Sequence, residues 1–399
     1  MIKRVYDGIL REHFSESDKI AFISGPRQVG KTTSTRNIFS DPVYLNWDNA
    51  DHRAAILKGP GHIAELAGAE SLIDRKIPVI FDELHKYKGW KNFIKGFYDT
   101  YKEKFSVCVT GSARLNVYRK HGDSLMGRYF NYRMNPLSAG ELAAPEVRRD
   151  LYITPVDIGR EKFSSLLNYG GFPEPFIKAD RRFYNKWSRL RDEQLFREEL
   201  REIANIQELK KAELLALRFR ENASGALSYS NMAQDLKVSV DTVRRWTDVL
   251  EEIYYLFRVY PYTKNISKSI RREPKTYLRD WSEVHDRGSR NENFVACHLR
   301  KAVDFYNDTG LGNFSLGYIR DKTKREVDFI ISEDGRPWLL CEVKSGTKKI
   351  SRHLRHFHEI LKPEHSFQIT MDMDYVDKDC FASSGPVRVP AATFLSQLV

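Results

Sequence analysis

Between residues 18 and 135, short apolar runs alternate with longer segments of helical periodicity. KIAFIS (19–24), VYLNWD (43–48), PVIFD (78–82), FSVCVTGS (105–112) and RYFNYRM (128–134) read as strands, with helices between them. Such alternation predicts an α/β fold: a parallel sheet with helices on both faces. The PVIF and VCV runs lack polar alternation, as expected of strands covered on both sides. The first residues, MIKRVYDGILREHF, read as an amphipathic helix. They have neither the apolar core nor the small-residue cleavage site of a secretory leader.

Near residue 150 the pattern changes. YNKWSRLRDEQLFREELREIANIQELKKAELLALRFRE is charged and helical in period, and GGFPEP (170–175) precedes it as a turn. LSYSNMAQDLKVSVDTVRRWTDVL (227–250) fits two helices around a turn. Met232, Ala233 and Leu236 make the inner face of the first helix. Val243, Trp246 and Leu250 make that of the second, with Ser239 as its N-cap. A β-hairpin wing follows, and strands return from about 276. The predicted divisions are an α/β domain at 1–150, a helical region at 151–225, a winged helix–turn–helix at 226–275 and a second α/β domain at 276–399.

Composition narrows the function classes. A length of 399 residues suits two to three domains, and a hydrophobic fraction of 41% excludes wholesale disorder. No apolar run reaches the roughly 18–20 residues of a membrane span, so no membrane partner is expected. Cys108, Cys297, Cys341 and Cys380 lie far apart without CxxC spacing. That pattern argues against a disulfide framework or zinc finger and makes a reducing cytoplasm the default location. A net charge of +11 admits an anionic partner such as nucleic acid.

Gly25-Pro26-Arg27-Gln28-Val29-Gly30-Lys31-Thr32 satisfies G-x-x-x-x-G-K-[ST], between a strand and a helix. Backbone N–H groups of such a loop cradle phosphates at a helix N-terminus. Residues 25–32 and the following Thr33 are therefore the expected contacts to ATP. Lys31 would reach the β- and γ-phosphates, and Thr32 would place its hydroxyl on Mg²⁺. The strand PVIF runs into Asp82, a second candidate Mg²⁺ contact, and Glu83, a candidate for polarising the attacking water. The next strand ends at Thr110-Gly111-Ser112, where Ser112 reads either as a γ-phosphate or water contact or as part of a turn. Arg27, Arg114 and Arg128 are candidates for stabilising the transition state. Arg128 is preferred for its place at a sheet edge, acting in cis or in trans.

GPRQVGKT (25–32), YLNWD (44–48), DELHKYKGW (82–90), TGS (110–112) and GGFPEP (170–175) occur in this order. The chain thereby resembles a family of bacterial and archaeal AAA-superfamily P-loop ATPases. The resemblance implies ATP binding and hydrolysis. It also implies a C-terminal half of uncharacterised function, with a winged helix and a restriction-endonuclease-like core.

Two further constellations carry chemistry. In the would-be recognition helix, Arg244 and Arg245 lie outside the apolar stripe, where such helices meet bases and phosphates. Lys264, Lys268, Arg271, Arg272 and Lys275 make the wing basic and suited to phosphate contact. The alternative is a packing module that touches no DNA. Farther on, REVDFII and WLLCEVK read as paired strands, placing Asp328 near Glu342 and Lys344. Glu292 lies on the preceding helix. This order and spacing resemble the PD-(D/E)XK nuclease core. The resemblance implies a second Mg²⁺ held by Glu292, Asp328 and Glu342, with Lys344 positioning the attacking water. His353, His356 and His358 cluster on a later helix, read as a surface helix, a metal site or a phosphate contact.

The leading reading is an Mg²⁺-dependent ATPase that couples nucleotide state to binding of nucleic acid, DNA before RNA, with cleavage left open. The alternative is a slow nucleotide-dependent switch whose nuclease-like domain is an inactive docking module for a protein or DNA. A third is a nuclease gated by ATP. Oligomeric state stays open.

Overall fold

The computed structural model describes residues 2–70, 75–111, 125–200, 209–226, 228–263, 273–346 and 348–399. Two compact units divide between Asn135 and Pro136.

In the first unit α1 (Val5–Glu16) precedes a sheet of β1 (Ile20–Ser24), β2 (Val43–Asn46), β3 (Ile77–Asp82), β4 (Phe105–Gly111) and β5 (Tyr129–Arg133). The strands lie in the order β2-β3-β4-β1-β5, all parallel. Successive side chains point to opposite faces, and both faces of β1 are covered. Ile20 and Phe22 pack into a cluster with Val79, Phe81, Val107 and Phe105. Ile56 of α3 (Ala50–Leu57), Ile63 of α4 (Pro60–Leu66), and Phe93, Ile94 and Phe97 of α5 (Trp90–Tyr101) close that face. Ala21 and Ile23 are equally buried on the other face, and α2 (Lys31–Asn37) packs against β3 and β4. Continuous apolar strands follow from this double coverage.

The second unit contains a seven-stranded sheet in the order β12-β11-β10-β9-β8-β6-β7. Its strands are β6 (Leu256–Pro261), β7 (Lys275–Leu278), β8 (Phe314–Arg320), β9 (Glu326–Glu333), β10 (Arg336–Lys344), β11 (His365–Thr370) and β12 (Val387–Pro390). The two strands read as a wing, β6 and β7, pair antiparallel and form one edge of this sheet. The segment after Pro136 also belongs to this unit. Glu141, in the short helix Ala139–Ala143, forms a buried ion pair with Lys301 of the helix Arg287–Asp308. Among the described residues no helix is long and apolar enough to cross a membrane.

Two helices, Tyr229–Leu236 and Val240–Glu252, stand around a turn. Met232, Ala233, Leu236, Val243, Trp246 and Leu250 are buried, so the two apolar stripes face inward. Ser239 Oγ accepts from Thr242 N at 3.1 Å and caps the second helix. Ser239→Ala should cost about 1 kcal/mol. Ser239→Asn should retain most of that stability. Chemical denaturation of the three proteins checks this, and equal midpoints for Ala and Ser would remove the cap from the account.

Candidate functional site

The carboxyl ends of β1, β3 and β4 converge at one edge of the first sheet, where open α/β sheets place ligands. Residues 25–30 leave β1 and enter α2 there. Gly25 adopts φ 153°, and a Cβ at that position would lie 2.3 Å from the carbonyl oxygen of Met134. Gly30, at φ 104°, opens α2 in a conformation L-residues rarely adopt. The Lys31 ammonium turns back across the loop and donates to the carbonyls of Gly25 at 2.9 Å and Pro26 at 2.7 Å.

Asp82, at the tip of β3, is 4% exposed. One carboxylate oxygen accepts from Thr32 Oγ1 at 2.9 Å and from the Tyr44 hydroxyl, and the other accepts from the Thr110 hydroxyl. A carboxylate beside a threonine hydroxyl at a phosphate loop is a hard oxygen donor set that fits Mg²⁺. Thr32 and Asp82 would hold the ion, which would neutralise phosphate charge.

Glu83 follows in a left-handed conformation, φ 54°. Burial pushes its carboxyl above the ordinary range, against the pull of Lys31 and Lys86. Its Oε2 lies 3.6 Å from His85 Nε2 and, among the described residues, accepts no hydrogen bond. A largely buried carboxylate of raised pKa, beside a lysine and a candidate metal contact, has the properties of a proton acceptor.

The structure brings Lys31, Thr32, Asp82 and Glu83 together, but not Arg128. Its backbone carbonyl accepts from Ile20 N, at the opposite end of β1 from the loop. At about 3.3 Å per strand residue that end is about 13 Å away. The Arg128 side chain pairs with Asp99 through Nε at 2.6 Å and Nη2 at 3.1 Å. The sheet edge inferred from sequence is thus the wrong edge for a cis role. Ser112 and Arg114 lie outside the described residues, and Arg27 is half-buried in the loop.

Sequence reasoning missed Tyr44, Thr110 and Arg4. The buried Arg4 donates from Nη1 to the carbonyl of Val29 and from Nη2 to that of Asn135 at 2.7 Å. It thereby ties the phosphate loop to the last residue of the unit. No local motif marks it, because its partners are 25 and 131 residues away.

The second constellation also assembles. β9 and β10 pair antiparallel, Cys341 opposite Phe329, which sets Asp328 beside Glu342. Val343 N donates to Asp328 Oδ2 at 2.8 Å. Burial and the neighbouring Glu292 push the Asp328 carboxyl above the ordinary carboxylate range. Lys344 lies 2.6 Å from Glu342 Oε1, in an ion pair. Lys275, expected as a phosphate contact of the wing, is instead buried. Its ammonium lies 2.6 Å from Glu326, 3.1 Å from Glu292 and 3.9 Å from Asp328. Among the described residues no group of three or more His, Cys, Asp or Glu side chains is placed to hold a metal ion. His353 is exposed, and His358 Nδ1 is hydrogen-bonded to Ser366 Oγ at 2.9 Å. Arg244 and Arg245 are exposed on the second helix of the pair, while Lys264, Lys268, Arg271 and Arg272 lie outside the described residues.

Residues 17–143 match the family model of an AAA domain. Residues 160–286 and 287–383 match two domains of unknown function, DUF8612 and DUF4143. Uncharacterized protein Rv2008c of Mycobacterium tuberculosis is 25% identical over 358 residues, 84% of this chain and 73% of the relative. Uncharacterized protein MJ1637 of Methanocaldococcus jannaschii is 23% identical over 408 residues, 90% and 83% of the two chains. Among solved structures, the ORC1 protein of Aeropyrum pernix in complex with DNA is 13% identical with a TM-score of 0.33. That alignment covers 73% of this chain and 90% of that one.

Proposed function

We propose that the AAA domain matched at residues 17–143 hydrolyses ATP with Mg²⁺ held by Thr32 and Asp82, and that nucleotide state governs nucleic-acid binding by the C-terminal unit. One observation carries this reading: Asp82 accepts the Thr32 hydroxyl at the loop that ends in Lys31, next to a buried Glu83 whose carboxyl is raised by burial. The chain's own residues position and neutralise the phosphates, and Glu83 takes the proton of the attacking water. The exposed Arg244 and Arg245 supply the candidate nucleic-acid contacts, as does the basic segment 264–272.

The test is steady-state ATP hydrolysis by the full chain, with and without single- and double-stranded DNA. Stimulation by DNA that an Arg244→Glu/Arg245→Glu variant loses supports the coupling. The variant should also weaken DNA binding and flatten its salt dependence, because phosphate contacts release counterions. Turnover indifferent to DNA, with no measurable DNA affinity, would transfer the reading to the alternative. In that alternative the chain is a slow switch whose C-terminal core docks a partner without cutting. The lysine set among Glu292, Glu326 and Asp328 favours docking over cutting.

A further inference from the structure

Lys275 opens β7, and its backbone is held on two sides. It pairs with Val259 of β6 and bridges to Ala226. The side chain therefore leaves from a fixed point. It is 5% exposed, and its ammonium reaches carboxylates from two elements, Glu326 and Asp328 of β9 and Glu292 of the long helix Arg287–Asp308. Other donors take up oxygens of the same acids. Tyr277 OH donates to Glu292 Oε1 at 2.8 Å, the atom that also faces Lys275, and Val343 N donates to Asp328 Oδ2.

An ammonium and a divalent cation have incompatible claims on these oxygens. An ammonium donates hydrogen bonds at about 2.7–2.9 Å. Mg²⁺ draws oxygens in to about 2.0–2.1 Å in an octahedron, and a neighbouring positive charge repels it. Lys275 cannot leave without stranding a buried charge, because its strand is paired. Two of the three acids around it, Glu292 and Asp328, are those that the nuclease resemblance assigns to Mg²⁺. The third assigned acid, Glu342, is held by Lys344 at 2.6 Å.

We propose that Lys275 is the built-in cation of this acidic cluster, so that the core takes no Mg²⁺ and does not hydrolyse phosphodiester bonds. The inference goes beyond the proposed nucleic-acid binding: it rests on the geometry of the Lys275 cluster and bears only on whether this core cuts. It is independent of the ATPase reading. The side chains of a nuclease core are present, but the metal's place is occupied by a residue of the chain. Removing the lysine charge opens the cluster to a divalent ion.

The experiment titrates Mn²⁺ into nucleotide-free full chain and follows free Mn²⁺ by electron paramagnetic resonance. Every protein carries Asp82→Asn, which silences the first site. With Lys275 present, the expected result is no binding that depends on Asp328. With Lys275→Met, about one equivalent of Mn²⁺ binds, and a further Asp328→Asn abolishes it. A folded Lys275→Met protein that gains no Mn²⁺ overturns the proposal. Lys275→Gln, which keeps an amide donor, serves if the methionine variant fails to fold. The parent decides independently of either variant. Mn²⁺ bound in an Asp328-dependent way overturns the proposal, and so does Mg²⁺-dependent cleavage of DNA or RNA lost in Lys344→Ala. ATP turnover of the chain with Asp82 intact, measured in parallel, reports on the ATPase reading separately.

Discussion

Replacing Glu83 by glutamine is expected to lower the rate of ATP hydrolysis by about 10²–10⁴-fold, the range of a lost general base. ATP affinity should stay near that of the parent. Glutamine has the size of glutamate, and the loop, Lys31, Thr32 and Asp82 that would hold the nucleotide are untouched. Equilibrium binding of a fluorescent ATP analogue and single-turnover hydrolysis separate the two effects. A fall in turnover smaller than about threefold would remove Glu83 from the proton-accepting role. The same variant carries a stability signature. Burial raises the Glu83 carboxyl above its unfolded value, so between the two values the folded chain retains a proton the unfolded chain has released. Stability contributed by this group is therefore present below the unfolded value, about 4.3, and is lost as pH rises through the folded one. Nucleotide-free Glu83→Gln should accordingly melt above the parent at neutral pH, and the difference should shrink toward pH 4. A variant that melts below the parent throughout would mean that the charged carboxylate is a net stabiliser here.

The second large effect concerns folding of the C-terminal unit. Lys301 and Glu141 are each 1% exposed and pair with one another, and Lys301 Nζ also donates to the carbonyl of Pro136 at 3.0 Å. Lys301→Met leaves the Glu141 charge buried without its counter-ion, which costs about 3–5 kcal/mol. Lys301→Met combined with Glu141→Leu should recover most of that loss, because a pair of apolar residues has no charge to desolvate. Differential scanning calorimetry of the full chain reads both variants as shifts in the transition of this unit. Equal destabilisation by the single and double variants would place the penalty in packing or in the lost Pro136 contact rather than in the stranded carboxylate. The helix Ala139–Ala143 is fixed by this pair and by Ala139 N donating to His298 Nε2 at 3.0 Å. Burial lowers the His298 pKa to about 3, which leaves the imidazole neutral and able to accept.

Much of the first site was legible because its chemistry is local in sequence. The loop 25–32 is continuous, and β3 places Asp82 at its tip simply by ending there. The five apolar runs became five strands within one or two residues of the expected ends, since a strand buried on both faces admits few polar residues. The helix pair at 229–252 was equally readable from its inward stripes and its serine cap.

What stayed hidden depended on contacts between distant segments. Arg128 lies just before the edge strand β5. Which edge depended on strand direction and register, and a parallel β5 puts it at the far end from the loop. Arg4 shows nothing unusual in sequence, yet it bonds carbonyls 25 and 131 residues away. In sequence, Lys275 is one more cation of a basic hairpin. Pairing of β7 with β6, at the edge of the seven-stranded sheet, turned it inward to acids contributed by residues 292, 326 and 328. The sequence by itself determined the strand and helix pattern, the phosphate loop and the acids that follow β3, because these rest on periodicity and on neighbours along the chain. The tertiary structure decided which charges face one another, because an ion pair is set by distance in space, and that distance is a product of sheet order and register.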